Sequence, residues 1–224
     1  MSVGRPAPEP SDAGATADPP TNWNLPNALT ALRILLVPLF GWLLLHDGGQ
    51  DTGYRIWAFV VFVAAILTDK IDGDIARKRN LVTDFGKLMD PIADKALTGM
   101  AFVGLSIIDE LWWWVTIVVV GREWGITLMR LWVIKYGVMP ASRGGKIKTT
   151  LQAVALGGLV LPLRDLTGVA GSIADVLWWA ALVVMAAAVA VTIATGFDYV
   201  REALRLRREG QSRAHPSRQS PSAS

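Results

Sequence analysis

The run IWAFVVFVAAILTDKIDGDIAR, residues 56–77, decides how the chain folds. Twelve apolar residues, Ile56 to Leu67, are followed by Asp69 and Asp72. As a helix, the apolar part is about 18 Å long at ~1.5 Å per residue, short of the roughly 30 Å of a bilayer's hydrocarbon. Such a helix carries two carboxylates across the edge of an apolar layer. Downstream, Asp90 and Asp94 precede a second short apolar run, Ala96 to Ile108, in mirror image.

The composition around these runs is that of a membrane protein. Of 224 residues, 52% are apolar and 18% are charged, against about 25% charged in an average soluble domain. Four more apolar stretches accompany the two short ones: Leu29–Leu45, Leu111–Ile134, Thr149–Leu163 and Val176–Phe197. The first, fourth and sixth of the six approach the ~20 residues of a full span, and the second and third do not. Six such stretches predict an all-α integral membrane protein with six transmembrane helices. Residues 1–22 and 209–224, rich in Pro, Ser, Ala and Arg, are expected to be disordered tails around one domain, residues 23–208. The N-terminal tail lacks the basic start and apolar centre of a signal peptide.

The charges sort by side. Arg77, Lys78, Arg79 and Lys87 lie between the second and third stretches; Lys135, Arg143, Lys146 and Lys148 flank the fourth and fifth; Arg201, Arg205, Arg207 and Arg208 follow the sixth. The alternate connections are poor in Lys and Arg, so the positive-inside rule predicts a multi-pass protein of the cell membrane with both termini cytoplasmic. Trp112, Trp113, Trp114, Trp178 and Trp179 then fall at the outer interface, where amphipathic rings favour the headgroup level.

With Cys at zero and only His46 and His215 present, thiolate metal sites, cysteine nucleophiles and multi-histidine zinc sites are excluded. Carboxylates remain. In this topology Asp69, Asp72, Asp90 and Asp94 lie at one level on the cytoplasmic side, each pair on one helix face by its i,i+3 or i,i+4 spacing. Four clustered anions would repel, and divalent cations resolve the conflict. Oxygen-only ligands suit Mg²⁺ or Mn²⁺, and four carboxylates can hold two ions about 3.5 to 4 Å apart, as used for in-line displacement at phosphorus. Gly73 and Gly86 permit close approach of a ligand, Ala76 keeps the same face low, and Arg77 offers a phosphate fork. Each of these alone could be packing or an ordinary inner-face charge. Asp74 and Asp84 are expected in a solvated loop.

The string Asp69-x-x-Asp72-Gly73-x-x-Ala76-Arg77, eight residues to Gly86, then Asp90 and Asp94, resembles the full signature of the CDP-alcohol phosphatidyltransferase family. The resemblance spans roughly Asn24 to Leu206. It implies that Asp69 and Asp90 bridge two metal ions, that Asp72 completes one site and Asp94 the other, and that Asp94 is the proton acceptor. It further implies that Gly73, Ala76, Arg77, Thr83 and Gly86 surround the CDP moiety of CDP-diacylglycerol. Asn27, Thr30 and Arg33 form a polar strip at i, i+3 and i+6, read either as an interfacial anchor or, as the family's pattern favours, as part of the CDP-lipid site.

Charges inside the fourth stretch bear on the second substrate, because intramembrane charges default to function or to pairing within the bundle. Arg122 and Glu123 lie about 17 Å in at ~1.5 Å per residue. Glu123 and Arg130 could form an internal ion pair. Arg122, Arg143, Lys146 and Lys148 could build a pocket for an acceptor's phosphate, or the lysines could attract anionic lipid. The strings around Asn24, Thr83–Lys95, Gly121–Glu123 and Gly145–Thr149 resemble the branch of the family whose acceptor is sn-glycerol 3-phosphate. Branches using inositol phosphate, or making cardiolipin, share the chemistry. The expected partners are these substrates and the bilayer, with no nucleic acid. The family often forms homodimers, with no interface legible here. A transporter remains the alternative of a different class; it would not require the Gly73, Ala76, Arg77 and Gly86 spacing.

Overall fold

A computed structural model describes residues 25–78, 84–133 and 143–214, all in helices or the turns that join them. The six helices are α1 (Leu25–Leu45), α2 (Thr52–Lys78), α3 (Asp84–Ile107), α4 (Trp113–Val133), α5 (Arg143–Val160) and α6 (Gly168–Ala214). The expected tail of residues 1–22 lies outside the described residues. At the other end α6 continues to Ala214, so helix extends past the boundary expected at Arg208. Likewise α2 reaches Lys78 and α3 starts at Asp84, which puts residues 74 and 84 on helix rather than in a loop.

Each turn has a local cause. The chain leaves α1 through Asp47 (φ 49), Gly48 (φ 62) and Gly49 (φ 77), left-handed conformations that glycine adopts without steric cost. A side chain at Gly49 would also stand 2.8 Å from Ile108, so this turn packs on the end of α3. Asp51 then caps α2, its Oδ1 accepting from the Tyr54 amide at 3.0 Å. Asp109 (φ 58) ends α3, and the Glu110 and Leu111 amides return to the Leu105 carbonyl, a helix-terminating pattern that satisfies open carbonyls.

Phe40 and Leu44 of α1, Phe62 of α2, Phe102 and Leu105 of α3, and Leu156 and Leu159 of α5 form the centre of the core. Small residues let the helices approach closely: a Cβ at Gly104 would fall 2.6 Å from Leu44, and one at Gly158 2.8 Å from Ala181 on α6. Large apolar side chains also cover the outside of the bundle, among them Leu35, Trp57, Ile117, Leu128, Val154, Val183 and Phe197. An apolar exterior of this extent calls for a lipid solvent.

Three described segments are long and apolar enough to cross a bilayer: Asn27–Gly49, Thr52–Asp69 and Gly168–Arg205. The second corrects the sequence expectation, which counted only the twelve apolar residues Ile56–Leu67 and left Arg55 to the preceding connection. Arg55 is instead only 4% exposed. Its guanidinium donates to Glu110 Oε1 at 2.8 Å and to the carbonyls of Leu159, Val160 and Leu161 at the end of α5, where a cation complements the helix dipole. The fourth stretch, expected to approach a span, does not qualify among the described residues; Arg122, Glu123 and Arg130 interrupt it.

Trp178 Nε1 donates to the other oxygen of Glu110 at 3.1 Å, and Arg164 lies over the Trp178 ring at 5.0 Å. Trp112, Trp113 and Trp114 sit at the same end, at the start of α4. This network joins α2, the α3–α4 turn, α5 and α6. Breaking a buried ion pair from one side typically costs about 3–5 kcal/mol, because the partner charge remains unpaired. Arg55→Met is therefore expected to lower the thermal midpoint of the purified protein clearly, and Arg55→Met/Glu110→Gln less than the single change. A scanning-fluorimetry series that shows no drop for the single variant contradicts this role.

Candidate active site

At the opposite end of the bundle every helix brings a polar group to a common layer. Asp69 lies fourteen residues along α2 from Arg55, about 21 Å at ~1.5 Å per residue. The strip on α1 faces inward: Asn27, Thr30 and Arg33 are 5%, 2% and 1% exposed. An interfacial anchor would present those groups to headgroups, whereas here they are turned into the bundle. Arg33 Nη1 lies 2.7 Å from Asp69 Oδ1, joining α1 to α2.

Asp94 on α3 is within electrostatic reach of Asp69, Arg33, Lys148 and Glu123. It opens on a small cavity between α3, α4 and α5, whose polar lining includes Asp94, Lys95, Glu123, Lys148 and Gln152. Lys148 is buried and donates to Glu123 Oε1. The same oxygen accepts from Arg122 Nη1 at 3.0 Å. Deeper between α5 and α6, Gln152 Nε2 donates to Thr192 Oγ1 at 3.3 Å.

The structure thus brings together Arg33 and Asp69, and brings Asp94 and Lys148 to one cavity. It does not bring Arg122 there. Arg122 donates to Thr195 Oγ1 on α6 at 2.7 Å, its guanidinium lies 5.6 Å from the Tyr199 ring centroid, and it lines a separate apolar cleft with Ile126, Ile193 and Phe197. Neighbouring helical positions point about 100° apart, so Glu123 turns to α5 while Arg122 turns to α6. Among the described residues the partners of Glu123 are Lys148 and Arg122; the side chain of Arg130, considered from sequence, lies outside them. So do those of Asp72, Ala76, Arg77, Asp90, Arg143 and Lys146, together with positions 73 and 86; these are placed on helix by their backbone alone. Thr83 lies outside the described residues altogether.

Sequence reasoning passed over Lys95, whose Nζ donates to Thr127 Oγ1 and lies 5.7 Å from the Trp124 ring centroid. Its position directly after Asp94 was the available signal. Among the described residues no group of three or more carboxylates or imidazoles is gathered as a metal site. The donors that are described, Asp69 and Asp94, are nevertheless oxygen-only carboxylates, and Arg33 takes one oxygen of Asp69. That donor chemistry fits a hard divalent cation such as Mg²⁺ or Mn²⁺ and does not fit a soft one.

The chain is similar to known proteins over most of its length. Residues 23–194 match the CDP-alcohol phosphatidyltransferase family. A Mycobacterium tuberculosis protein named probable phosphatidylglycerophosphate synthase is 48% identical over 182 residues, covering 81% of this chain and 82% of that protein. The Bacillus subtilis CDP-diacylglycerol–glycerol-3-phosphate 3-phosphatidyltransferase is 36% identical over 187 residues, 79% of this chain and 93% of its own length. A Rickettsia typhi protein of the same name is 38% identical, covering 80% of this chain and 96% of itself. With the match running through both halves of the aspartate signature and on into α6, the chain belongs to the CDP-alcohol phosphatidyltransferase family and is an enzyme of that class.

Proposed function

We propose that the protein transfers the phosphatidyl group of CDP-diacylglycerol to sn-glycerol 3-phosphate, forming phosphatidylglycerophosphate and CMP. The observation that carries this reading is the meeting, at one level of a lipid-exposed bundle, of Arg33–Asp69 with Asp94 and its cation-bearing cavity. The names of the relatives supply the acceptor.

Asp69, Asp72, Asp90 and Asp94 would hold two divalent cations, Mg²⁺ or Mn²⁺, which when bound supply charge neutralisation for the pyrophosphate. Arg33 fixes the carboxylate of Asp69, and Asn27 and Thr30 continue the same inward strip toward the CDP-lipid. Gly73, Ala76, Arg77, Thr83 and Gly86 border the nucleotide, following the family pattern. Asp94 takes the proton of the acceptor hydroxyl. The freed oxygen forms a bond to the lipid-side phosphorus as the bond from that phosphorus to the CMP oxygen breaks. Rate enhancement then comes mainly from positioning and charge stabilisation. Arg143, Lys146 and Lys148 are assigned to the acceptor's phosphate; Arg122 of α4, its guanidinium held by Thr195 of α6, acts through Glu123. The six helices all cross the cell membrane, with both termini and the site on the cytoplasmic side, as the basic connections imply.

The deciding experiment is CMP release by purified protein with CDP-diacylglycerol, Mg²⁺ or Mn²⁺, and separately glycerol 3-phosphate, inositol phosphate, inositol, serine and phosphatidylglycerol. Release with glycerol 3-phosphate that stops on chelation and returns with either metal is expected; release with inositol phosphate or phosphatidylglycerol alone would move the chain to another branch. Asp94→Asn is expected to cut turnover by about 10²- to 10⁴-fold or more while CDP binding persists. A near-normal rate in that variant removes Asp94 as the base.

A further inference from the structure

The acceptor-phosphate ligands expected from sequence leave a gap in the cavity beside Asp94. Arg122 is drawn to Thr195 and Tyr199, and the ammonium of Lys148 is bound to Glu123. A phosphate entering the cavity would have to compete with the Glu123 carboxylate for Lys148. Lys95 has no such competitor, since among the described residues it makes no ion pair.

Its surroundings hold it nonetheless. Thr127 donates its own hydroxyl proton to the Glu123 carbonyl at 2.9 Å, so toward Lys95 it acts as acceptor. That engages one of the three N–H donors of the ammonium and leaves two. The Trp124 ring lies to one side. A lysine without a task at such a position keeps its head in water; this one turns its head to α4 and stays half-buried. An ammonium withdrawn from water without a counter-charge is destabilising, and an incoming anion removes that penalty. Residues 94 and 95 have Cα atoms about 3.8 Å apart, and both line the cavity. A three-carbon alcohol could therefore place its hydroxyl at one and its phosphate at the other.

We infer that Lys95, positioned by Thr127 and Trp124, binds the phosphate of the acceptor and makes the enzyme prefer a phosphorylated alcohol to the same alcohol without phosphate. The inference rests on the glycerol-phosphate reading above. It is tested with the full chain in nanodiscs, measuring kcat and KM for glycerol 3-phosphate and for CDP-diacylglycerol, the rate ratio of glycerol 3-phosphate to glycerol, and the thermal midpoint. For Lys95→Met the KM for glycerol 3-phosphate should rise about tenfold or more, as expected for loss of a charge-assisted hydrogen bond, and the preference over glycerol should fall in step. The KM for CDP-diacylglycerol should stay within about twofold, as for loss of an interaction with one substrate only, and the thermal midpoint should not drop. Lys95→Gln carries the same expectation should the methionine variant not fold, and Thr127→Val should produce a smaller rise in the same KM. An unchanged KM for glycerol 3-phosphate, or equal rises for both substrates, overturns the role of Lys95 while leaving the reaction in place. If the unaltered enzyme uses a different acceptor and not glycerol 3-phosphate, the reading and this inference fall together.

Discussion

A charge carried into an apolar bundle needs a partner on a neighbouring helix, and the site layer of this protein is organised by that requirement. Withdrawing an ion from water costs several kcal/mol even after relaxation, a cost that a partner charge on a neighbouring helix offsets. Arg33 of α1 meets Asp69 of α2. Glu123 of α4 is shared by Arg122 on its own helix and Lys148 of α5, and Arg122 reaches on to Thr195 of α6. These contacts fix how far each helix slides against the next. A shift of α2 by one turn, about 5.4 Å, would part Arg33 from Asp69.

The two ends of the bundle solve the same problem differently. Around Arg55 the guanidinium is consumed by one carboxylate and three carbonyls, and Glu110 is completed by Trp178. Four of the five N–H groups of that guanidinium are thereby taken. At the other end Asp94 and Lys95 face a cavity and, among the described residues, have no matched ion partner of their own. A closed network suits a clamp that holds four chain segments in register, and an incomplete one suits a site that is completed by charged substrates. The apolar core of Phe40, Phe62, Phe102 and Leu156 lies between the two and keeps the open end at a fixed distance from the clamp.

The aspartate signature was legible because it lies on two helices joined by a short connection, where function dictates residue type at a set spacing. The six helices were legible from hydropathy for a similar reason, each being a property of one segment. What escaped the sequence depends on contacts between segments. Arg55 precedes the apolar run Ile56–Leu67 in sequence, and only the carbonyls of Leu159, Val160 and Leu161, more than a hundred residues away, turn it into part of the span. Arg122 and Glu123 read as one polar pair, yet a helix sends consecutive side chains to different neighbours, and which of them faces α5 is set by packing. The strip Asn27, Thr30, Arg33 had two readings of equal local merit; its burial and the pairing of Arg33 with Asp69 of α2 show only that it faces inward.

The placement of Lys95 has a consequence for how discrimination and chemistry are linked. If the proton acceptor and the phosphate ligand are successive residues of α3, one stretch of backbone sets both positions, and a displacement of that stretch disturbs both together. An alcohol that lacks phosphate could still reach Asp94, but it would forgo the contact that holds its hydroxyl there, and effective concentration at the reacting phosphorus falls accordingly. Selectivity of this kind comes from leaving a withdrawn cation unmatched when the wrong substrate is present, which discriminates more strongly than a change of shape in an apolar pocket. The cost is a site less stable than it could be, the usual trade where function needs a group left unmatched.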